Sequence, residues 1–194
     1  MGRSADSFRP TTQRRFPTPL TIGVISDTHI NRGGQRRLPP EVPDLFARFG
    51  VDLILHAGDV NTLPVLAELG RVAPVIAVTG NNDDRELREI CREQELLEVG
   101  KYRLALLHGH GGASAYAEAK RLFAGKVDLV VYGHSHIPRI DEEAGTVLFN
   151  PGSATDRRWQ EHFGVGLLFC TDERITPELV LYHDPRHLKN VRPD

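Results

Sequence analysis

Residues 20–59 read LTIGVISDTHINRGGQRRLPPEVPDLFARFGVDLILHAGD and contain the unit from which the fold can be predicted. Two apolar runs rich in β-branched residues, Leu20–Ser26 and Asp52–His56, flank a helical pattern at Pro43–Phe49. A strand, a helix and a second strand in this order predict parallel strands joined by a right-handed crossover. Each apolar run leads directly into residues that can bind a metal, Asp27 and His29 after the first and Asp59 after the second.

The same alternation continues along the chain. Further strands are predicted at Val75–Thr79, Arg103–Leu107, Asp128–Tyr132, Thr146–Phe149, Val165–Cys170 and Leu179–Tyr182. Further helices are predicted at Leu63–Leu69, Asp84–Cys91 and Ala113–Phe123. These elements indicate an α/β protein with a parallel-rich sheet. The later strands have no long helices between them, which predicts a second sheet that is rich in antiparallel pairs.

Length and composition narrow the class of protein. The 194 residues suit one domain, and the 40% hydrophobic and 26% charged residues are typical of a globular chain. No apolar run approaches the roughly 18 residues that span a bilayer, so no membrane segment is predicted. The net charge of −2 predicts no general affinity for nucleic acid or anionic membranes. Two distant cysteines, Cys91 and Cys170, indicate no disulfide framework and favour the cytoplasm.

The two ends of the chain lack the periodicity of its centre. Residues 1–18 carry several prolines and arginines but no apolar segment of a secretory signal, so we expect a disordered tail or an early start codon. Residues 185–194 likewise suggest a loosely held tail. The sequence therefore predicts a single domain over residues 19–184.

Five successive predicted strands end in short polar motifs. These motifs are Asp27-Thr28-His29, Gly58-Asp59, Gly80-Asn81-Asn82-Asp83, His108-Gly109-His110 and Gly133-His134-Ser135-His136. Each has an ordinary explanation when taken alone, as a helix cap, a tight turn or a structural histidine. Ligands of α/β proteins bind beyond the carboxyl ends of the strands, where neighbouring loops meet. The succession of five motifs therefore favours one shared site.

This ordered set, followed by Asn150-Pro151-Gly152-Ser153, resembles the calcineurin-like metallophosphoesterases. The similarity extends over about residues 20–182 and is greatest to the small bacterial and archaeal phosphodiesterase branch, which is related in fold to the eukaryotic retromer subunit. The resemblance implies a four-layer α/β/β/α sandwich of two mixed sheets flanked by helices. It also implies a metal-dependent phosphoesterase, foremost a phosphodiesterase, that uses a two-metal site to activate a bridging water for in-line attack on phosphorus.

The resemblance also implies a set of metal ligands. By the family pattern, the first ion is held by Asp27, His29 and His136, the second by Asn81, His108 and His134, and Asp59 bridges the two. Within this set, Asp59, Asn81 and His108 are the expected catalytic residues. Imidazole, carboxylate and amide ligands suit Mn²⁺, Fe²⁺, Co²⁺, Ni²⁺ or Zn²⁺ better than Ca²⁺ or Mg²⁺. We expect two divalent ions, with Mn²⁺ as the first choice.

The chain departs from the family pattern in two places. Many members carry a histidine after the motif asparagine, and this residue is thought to protonate the leaving group. Here the position is Asn82, whose amide is no general acid near neutral pH. The GDxxDRG form of the protein phosphatases is also absent after Gly58-Asp59. Both departures argue against a protein serine/threonine phosphatase and favour diesters, or esters whose leaving groups need little protonation.

Several other residues are weaker candidates. Asn82 and His110 are predicted to contact substrate, although His110 could also support a metal ligand. Asp83 is expected in a turn or a helix cap, His56 in a buried hydrogen bond, and residues 150–153 in a rigid turn beneath the ligand loops. Arg157 and Arg158 are expected either on a solvated face or where they steer an anionic substrate. Asn31 and Arg32 have an even chance of facing the substrate. Trp159 is expected to pack inside.

The short interval between Asp59 and Asn81 leaves no room for a capping domain, so we expect an open site. Cyclic nucleotides, small phosphodiesters and nucleic-acid ends all remain open as substrates, and a homo-oligomer is not excluded. A non-catalytic interaction module on the same fold is the main alternative. A mononuclear hydrolase or a metal-storage protein is a further one.

Overall fold

The computed structural model describes residues 14–193 of the chain. Its strands are β1 Arg14–Phe16, β2 Leu20–Ile25, β3 Leu53–His56, β4 Val75–Ala77, β5 Gln94–Val99, β6 Tyr102–Leu107, β7 Leu129–Tyr132, β8 Arg139–Glu143, β9 Thr146–Asn150, β10 Phe163–Cys170 and β11 Ile175–Tyr182. Its α-helices are α1 Glu41–Arg48, α2 Leu63–Leu69, α3 Arg85–Ile90 and α4 Ala115–Phe123, and a 3-10 helix follows at Pro185–Asn190. No helix in this part of the chain is long and apolar enough to cross a membrane.

The strands form two mixed sheets. The first sheet has the order β11-β10-β2-β3-β4, with parallel pairs from β2 to β4 and antiparallel pairs on either side of β10. The second has the order β1-β5-β6-β7-β9-β8, in which β6, β7 and β9 are parallel and β5 and β8 are antiparallel to their neighbours β6 and β9. The predicted pair of mixed sheets is confirmed.

The expectation that the later strands form their own antiparallel-rich sheet is wrong. Strand β9 lies parallel to β7 in the second sheet, whereas β10 and β11 extend the first sheet next to β2. Strand β10 is apolar on both faces, with Val165 and Leu167 in one hydrophobic cluster and Leu168 in another. A strand of this kind is most stable inside a sheet with both faces covered.

Three hydrophobic clusters separate four layers. One fills the space between the first sheet and helices α1 and α2, a second lies between the two sheets, and a third lies between the second sheet and α4. Alternate residues of β3 show the division, since Ile54 belongs to the first cluster while Leu53 and Leu55 belong to the second. The order of layers is therefore α/β/β/α, as predicted.

Strands β1, β5 and β8 were missed in the sequence analysis, because their charged residues obscure the apolar pattern of a strand. Strand β5 reads QELLEV, and its Glu95 is buried next to Arg14 and Arg92, at 3.7 Å from each. Strand β8 reads RIDEE and lies at the edge of the second sheet, where its side chains are largely exposed. Strand β1 falls in the segment that the sequence analysis treated as a tail.

Both ends of the predicted domain need correction. Residues 14–16 form β1, which pairs parallel with β5, so the predicted tail over residues 1–18 is wrong for its last part; residues 1–13 lie outside the described residues. At the other end, Leu188 of the 3-10 helix at Pro185–Asn190 is completely buried in the hydrophobic cluster between the first sheet and helices α1 and α2. Arg48 of α1 also donates a hydrogen bond to the Leu188 carbonyl oxygen. The segment is therefore attached to the core rather than loosely held.

Candidate metal centre

The five polar motifs meet at one edge of the sandwich, and both sheets contribute to it. Strands β2, β3 and β4 of the first sheet lead into the motifs at residues 27–29, 58–59 and 80–83. Strands β6 and β7 of the second sheet lead into those at residues 108–110 and 133–136. The site therefore lies at the end of the space between two facing sheets, rather than along the edge of one open sheet.

Asp27, His29 and His136 form the first ligand group. The Nε2 atoms of His29 and His136 are 3.0 Å apart. Oδ1 of Asp27 lies 3.3 Å from Nε2 of His136 and 3.8 Å from Nε2 of His29. Asp27 and His136 are fully buried, so the group opens to solvent mainly at His29.

Asp59, His108 and His134 form the second group, and Asn81 adjoins it. Nε2 of His108 lies 3.2 Å from both Nδ1 of His134 and Oδ1 of Asn81. Oδ2 of Asp59 is 3.3 Å from His108 Nε2 and 3.6 Å from His29 Nε2, so this carboxylate lies between the two groups. The fold thus brings together all seven residues that the family pattern singled out.

Five of these seven residues have a backbone conformation that side chains other than glycine rarely adopt. The residues with φ between 47° and 65° are Asp27, His29, Asp59, His134 and His136. Such conformations cost of order 1 kcal/mol or more each and persist only where the surrounding structure enforces them. Backbone strain is concentrated at residues of one site, which indicates that the positions of their side chains matter for function.

Two glycines allow the strand ends to come this close. A Cβ atom on Gly80 would lie 2.1 Å from Oδ1 of Asp59, and one on Gly133 would lie 2.1 Å from Oγ of Ser26. Both distances are far below van der Waals contact. Glycine is therefore required at both positions for the carboxylates and imidazoles to converge.

Hydrogen bonds behind the site orient the imidazoles. Nδ1 of His108 donates to the Ala57 carbonyl oxygen over 2.8 Å, and Nδ1 of His136 donates to the carbonyl oxygen of Asp156. With Nδ1 engaged in this way, Nε2 of each ring carries the free lone pair and faces the centre. The role of Asp156 was missed because its backbone oxygen acts here, and no sequence pattern reveals that.

The Asn150-Pro151-Gly152-Ser153 segment supports the same loops, as the sequence analysis expected. The Asn150 side chain donates to the Gly133 carbonyl oxygen over 2.9 Å and accepts from the Gly152 N–H over 2.8 Å. Ser153 Oγ donates to the Asp27 carbonyl oxygen over 2.7 Å. These bonds tie the loops after β2, β7 and β9 into one frame.

Carboxylates and imidazoles lie close together in the centre, and their charges shift each other's pKa values. Burial by itself raises the pKa of Asp59. The hydrogen bond from His108 and the positive charge of that ring lower the pKa by more, so it lies well below its usual value. Burial lowers the pKa of His108, yet Asp59 and Asp27 raise it above its usual value. For His29, burial is the largest effect and lowers the pKa. The two carboxylates thus favour the protonated form of His108, whereas burial favours the neutral form of His29.

The donor set fits divalent cations. Oδ1 of Asp27 is fully buried and has no hydrogen-bond partner among the described residues, which is costly for an anionic oxygen. The facing His29 and His136 nitrogens can form a hydrogen bond only if one of them is protonated, whereas two lone pairs and a carboxylate oxygen suit a cation directly. A divalent cation would account for both the orphaned oxygen and the facing nitrogens.

The two predicted substrate-binding residues differ in position. The backbone N–H of Asn82 donates to Oδ1 of Asp59 over 2.8 Å, and its side-chain amide donates to Oδ2 over 2.7 Å. This residue therefore orients the central carboxylate. His110 is exposed, and its ring centre lies 5.4 Å from that of His108 and 6.4 Å from that of His134. It stands at the open side of the second group.

Asp83 was predicted to be a turn residue or a helix cap, and the structure divides these two roles between Asp83 and Asp84. Asp83 is buried and accepts hydrogen bonds from the N–H groups of Gly80 and Asn61, each over 2.7 Å, and so joins two ligand loops. The cap of α3 is instead Asp84, which accepts from the Leu87 N–H over 3.0 Å. The prediction of a turn residue holds for Asp83, and that of a helix cap does not.

The remaining candidates lie outside the centre. His56 is buried and shares a hydrogen bond of 3.2 Å with Thr28, as expected. Trp159 is 97% exposed, so the expectation that it packs inside is wrong. Asn31 accepts a hydrogen bond from Asn61, and Arg32 pairs with Glu86. Arg157 donates to the Gln160 carbonyl oxygen, and Arg158 is exposed.

Residues 20–173 match the calcineurin-like phosphoesterase superfamily domain. The chain belongs to this superfamily. A probable metallophosphoesterase of Methanothermobacter thermautotrophicus is 37% identical over 164 residues, which are 83% of this chain and 92% of the relative. A phosphodiesterase of Methanocaldococcus jannaschii is 31% identical over 69% of this chain and 83% of its own length.

The fold is also similar to that of a solved structure. Vps29 from Entamoeba histolytica superposes with a TM-score of 0.67 at 23% identity, covering 84% of this chain and all of that one. At this identity the likeness concerns the fold alone. Membership of the superfamily supports a hydrolase of phosphoesters, and the two ligand groups supply the candidate residues for its divalent metals.

Proposed function

We propose that this protein is a phosphodiesterase that depends on two divalent metal ions, with Mn²⁺ as the first choice. Asp27, His29 and His136 would hold one ion, and Asn81, His108 and His134 the other, with Asp59 between them. The observation that carries the proposal is the position of Asp59 Oδ2, which is 3.3 Å from a nitrogen of one group and 3.6 Å from a nitrogen of the other. A phosphodiesterase among the relatives supports the reaction class.

A pair of divalent ions supplies two things to such a reaction: a lower pKa for a water, and positive charge to offset the charge that develops on phosphoryl oxygens. The chain's own residues provide placement. Asp59 holds the two groups at a fixed separation, and Asn82 holds both oxygens of Asp59. His110 stands exposed beside the second group, where its imidazole would donate a hydrogen bond to a phosphoryl oxygen of the substrate.

The substrate preference follows from Asn82. Its amide donates hydrogen bonds to Asp59 and cannot protonate a leaving group near neutral pH. We therefore expect diesters with stable leaving groups, such as an aryl phosphodiester, to be hydrolysed faster than alkyl phosphomonoesters. Comparable rates on a nitrophenyl diester and on serine phosphate would contradict this reasoning.

Substitution of the central carboxylate tests the proposal. The variant Asp59→Asn keeps the shape of the side chain but removes its charge, so two dications would repel one another with less compensation. We expect a loss of at least about 100-fold in turnover of bis(4-nitrophenyl) phosphate with Mn²⁺, and fewer ions bound per chain. Asp44→Asn, an exposed carboxylate in the first turn of α1, is the matched control and should retain both properties.

Three outcomes would overturn the proposal. Near-normal turnover by Asp59→Asn with both ions bound would remove Asp59 from the mechanism. No turnover of any diester by the wild-type protein, with two ions bound over a panel of metals, would favour the non-catalytic interaction module. A stoichiometry of one ion in the Asp27 and Asp59 groups together would favour the mononuclear alternative.

A further inference from the structure

A third cluster of metal-binding side chains lies apart from the centre. Glu161, His162 and His183 each place one ligand atom within 4.8 Å of the others. None of them belongs to the five motifs, and the proposed reaction does not use them. We call these three residues the β10–β11 cluster, because they lie at the start of β10 and the end of β11.

The pairing of the two strands brings the histidines together. Strands β10 and β11 are antiparallel, and their first pair is Phe163 opposite Tyr182. The residues one step outward, His162 and His183, continue this register, so their side chains emerge from the same face. Their ring centres are only 4.0 Å apart, and Nε2 of His183 lies 3.9 Å from Oε1 of Glu161.

The strands beneath the cluster are well anchored. The rings of Phe163 and Tyr182 stack with their centres 5.7 Å apart, and the hydroxyl of the buried Tyr182 donates to the Ala154 carbonyl oxygen over 2.8 Å. The N–H of Gly164 donates to the Ser153 carbonyl oxygen over 2.9 Å. Backbone on both sides of the cluster is therefore held in place, so only side-chain torsions need to adjust around an ion.

We propose that the β10–β11 cluster is a third metal site, which binds one Zn²⁺ ion. Two imidazoles and one carboxylate are a ligand set that Zn²⁺ favours over Mg²⁺ or Ca²⁺. Three protein ligands leave a fourth tetrahedral position open to water or to a side chain of another molecule. Glu161 and His183 are exposed, so the ion can reach the site without any rearrangement of the fold.

The new site lies at the same end of the first sheet as the centre. Strand β10 runs antiparallel to β2 with Gly166 opposite Val24, so the start of β10 is at the end of β2 that leads into Asp27. An ion at the cluster would add positive charge to the end of the sandwich that is proposed to receive an anionic phosphoester. The proposal does not depend on the two-metal centre, because none of its ligands is shared.

Zinc stoichiometry tests the third site. Equilibrium dialysis against Zn²⁺, followed by metal analysis, should find one ion per chain more in the wild-type protein than in His183→Ala or His162→Ala. His187→Ala is the matched control, since His187 is an exposed histidine of the adjoining 3-10 helix outside the cluster, and this variant should bind as much Zn²⁺ as wild type. Circular dichroism establishes that each variant is folded.

The comparison of variants separates this proposal from the proposed function. If the two-metal centre were absent, all stoichiometries would fall equally, and the difference of one ion between wild type and His183→Ala would remain. Equal zinc binding by wild type, His183→Ala and His162→Ala would overturn the third site. If a histidine variant failed to fold, Glu161→Gln would decide, with weaker zinc binding expected and unchanged binding contradicting the site.

Discussion

His56 lies at the end of β3, directly before the loop that carries Asp59, and it is completely buried. Burial lowers its pKa to about 3, so the ring is neutral in the folded protein. In the unfolded chain the imidazole has its ordinary pKa of about 6.5. Between these two values the unfolded state binds more protons than the folded state, so the free energy of unfolding falls as the pH falls from about 6.5 towards 3.

This reasoning gives a prediction for the metal-free protein. Between about pH 7 and about pH 5, His56 should account for a loss of about 2 kcal/mol in the free energy of unfolding, because one extra proton on the unfolded chain costs about 1.4 kcal/mol for each pH unit below about 6.5. His56→Gln cannot bind this proton, so its stability should fall less over the same interval. Urea unfolding of both proteins at the two pH values measures the difference, and equal losses would contradict a neutral buried imidazole.

Asn82 shows how a single substitution changes the chemistry of a site while the fold stays intact. An imidazole at this position would offer a proton near neutral pH, whereas the amide offers only hydrogen bonds. In this chain both its backbone N–H and its side-chain amide are directed at Asp59. The departure from the family pattern was visible in the sequence, but the partner of the amide was not.

At the scale of single elements, the strand ends decide the geometry of the centre. The backbone after β4 must pass so close to Asp59 that Gly80→Ala would place a methyl group about 2 Å from a carboxylate oxygen. We expect this variant to bind fewer metal ions and to lose most of the proposed diesterase activity, because the carboxylate must move. Elemental analysis and turnover of an aryl phosphodiester measure the two effects.

Gly33→Ala is the control for Gly80→Ala. Gly33 has a φ of +74° and nothing within 4 Å of the position of a Cβ atom, so alanine there costs only backbone strain, about 1 kcal/mol. Metal content should be unchanged in this control. If Gly80→Ala and Gly33→Ala both retained wild-type metal content in elemental analysis, the close approach at Gly80 would not be needed for metal binding.

The 3-10 helix at Pro185–Asn190 is fastened mainly by Leu188. Its side chain is fully buried in the cluster beneath α1. Leu188→Ala should therefore lower the free energy of unfolding by about 2–4 kcal/mol, the usual cost of a buried leucine cavity. Leu181→Ala, on a side chain that is 44% exposed, should cost less than about 1 kcal/mol in the same urea titration. Equal costs would indicate that residues 185–190 contribute little to the core.

At the scale of the whole molecule, the centre links the two sheets. The loops after β2 and β3 supply Asp27 and Asp59 from one sheet, and those after β6 and β7 supply His108 and His134 from the other. A ligand that binds the folded state alone stabilises it in proportion to the logarithm of its concentration. Ions held between the sheets should therefore raise the stability of the entire sandwich.

Metal removal tests this coupling. Dialysis against EDTA should lower the midpoint of thermal unfolding by several degrees, and added Mn²⁺ should restore it in a concentration-dependent way. Asp59→Asn should show a smaller recovery, whereas Asp44→Asn should recover like wild type. A midpoint that is the same with and without metal would mean that no ion joins the two sheets.

Much of this protein can be predicted from local sequence patterns. Apolar periodicity identified β2, β3, β6 and β7 within one or two residues, because strand and helix patterns are properties of neighbouring residues. The seven candidate ligands were named from a family resemblance carried by the motifs after β2, β3, β4, β6 and β7, and the match of residues 20–173 confirms that family. The polar strand β5 was missed, since a local pattern does not predict that its Glu95 is buried near Arg14 and Arg92.

The tertiary structure alone decided which strands share a sheet, how Asp59 lies between two ligand groups, and that Trp159 is exposed while Leu188 is buried. It also revealed the β10–β11 cluster, whose histidines are 21 positions apart in the chain and 4.0 Å apart in space. Local patterns cannot predict these facts because each depends on contacts between segments that are remote in sequence. Such contacts form only when strands pair and the layers of the sandwich pack, and both are properties of the whole chain.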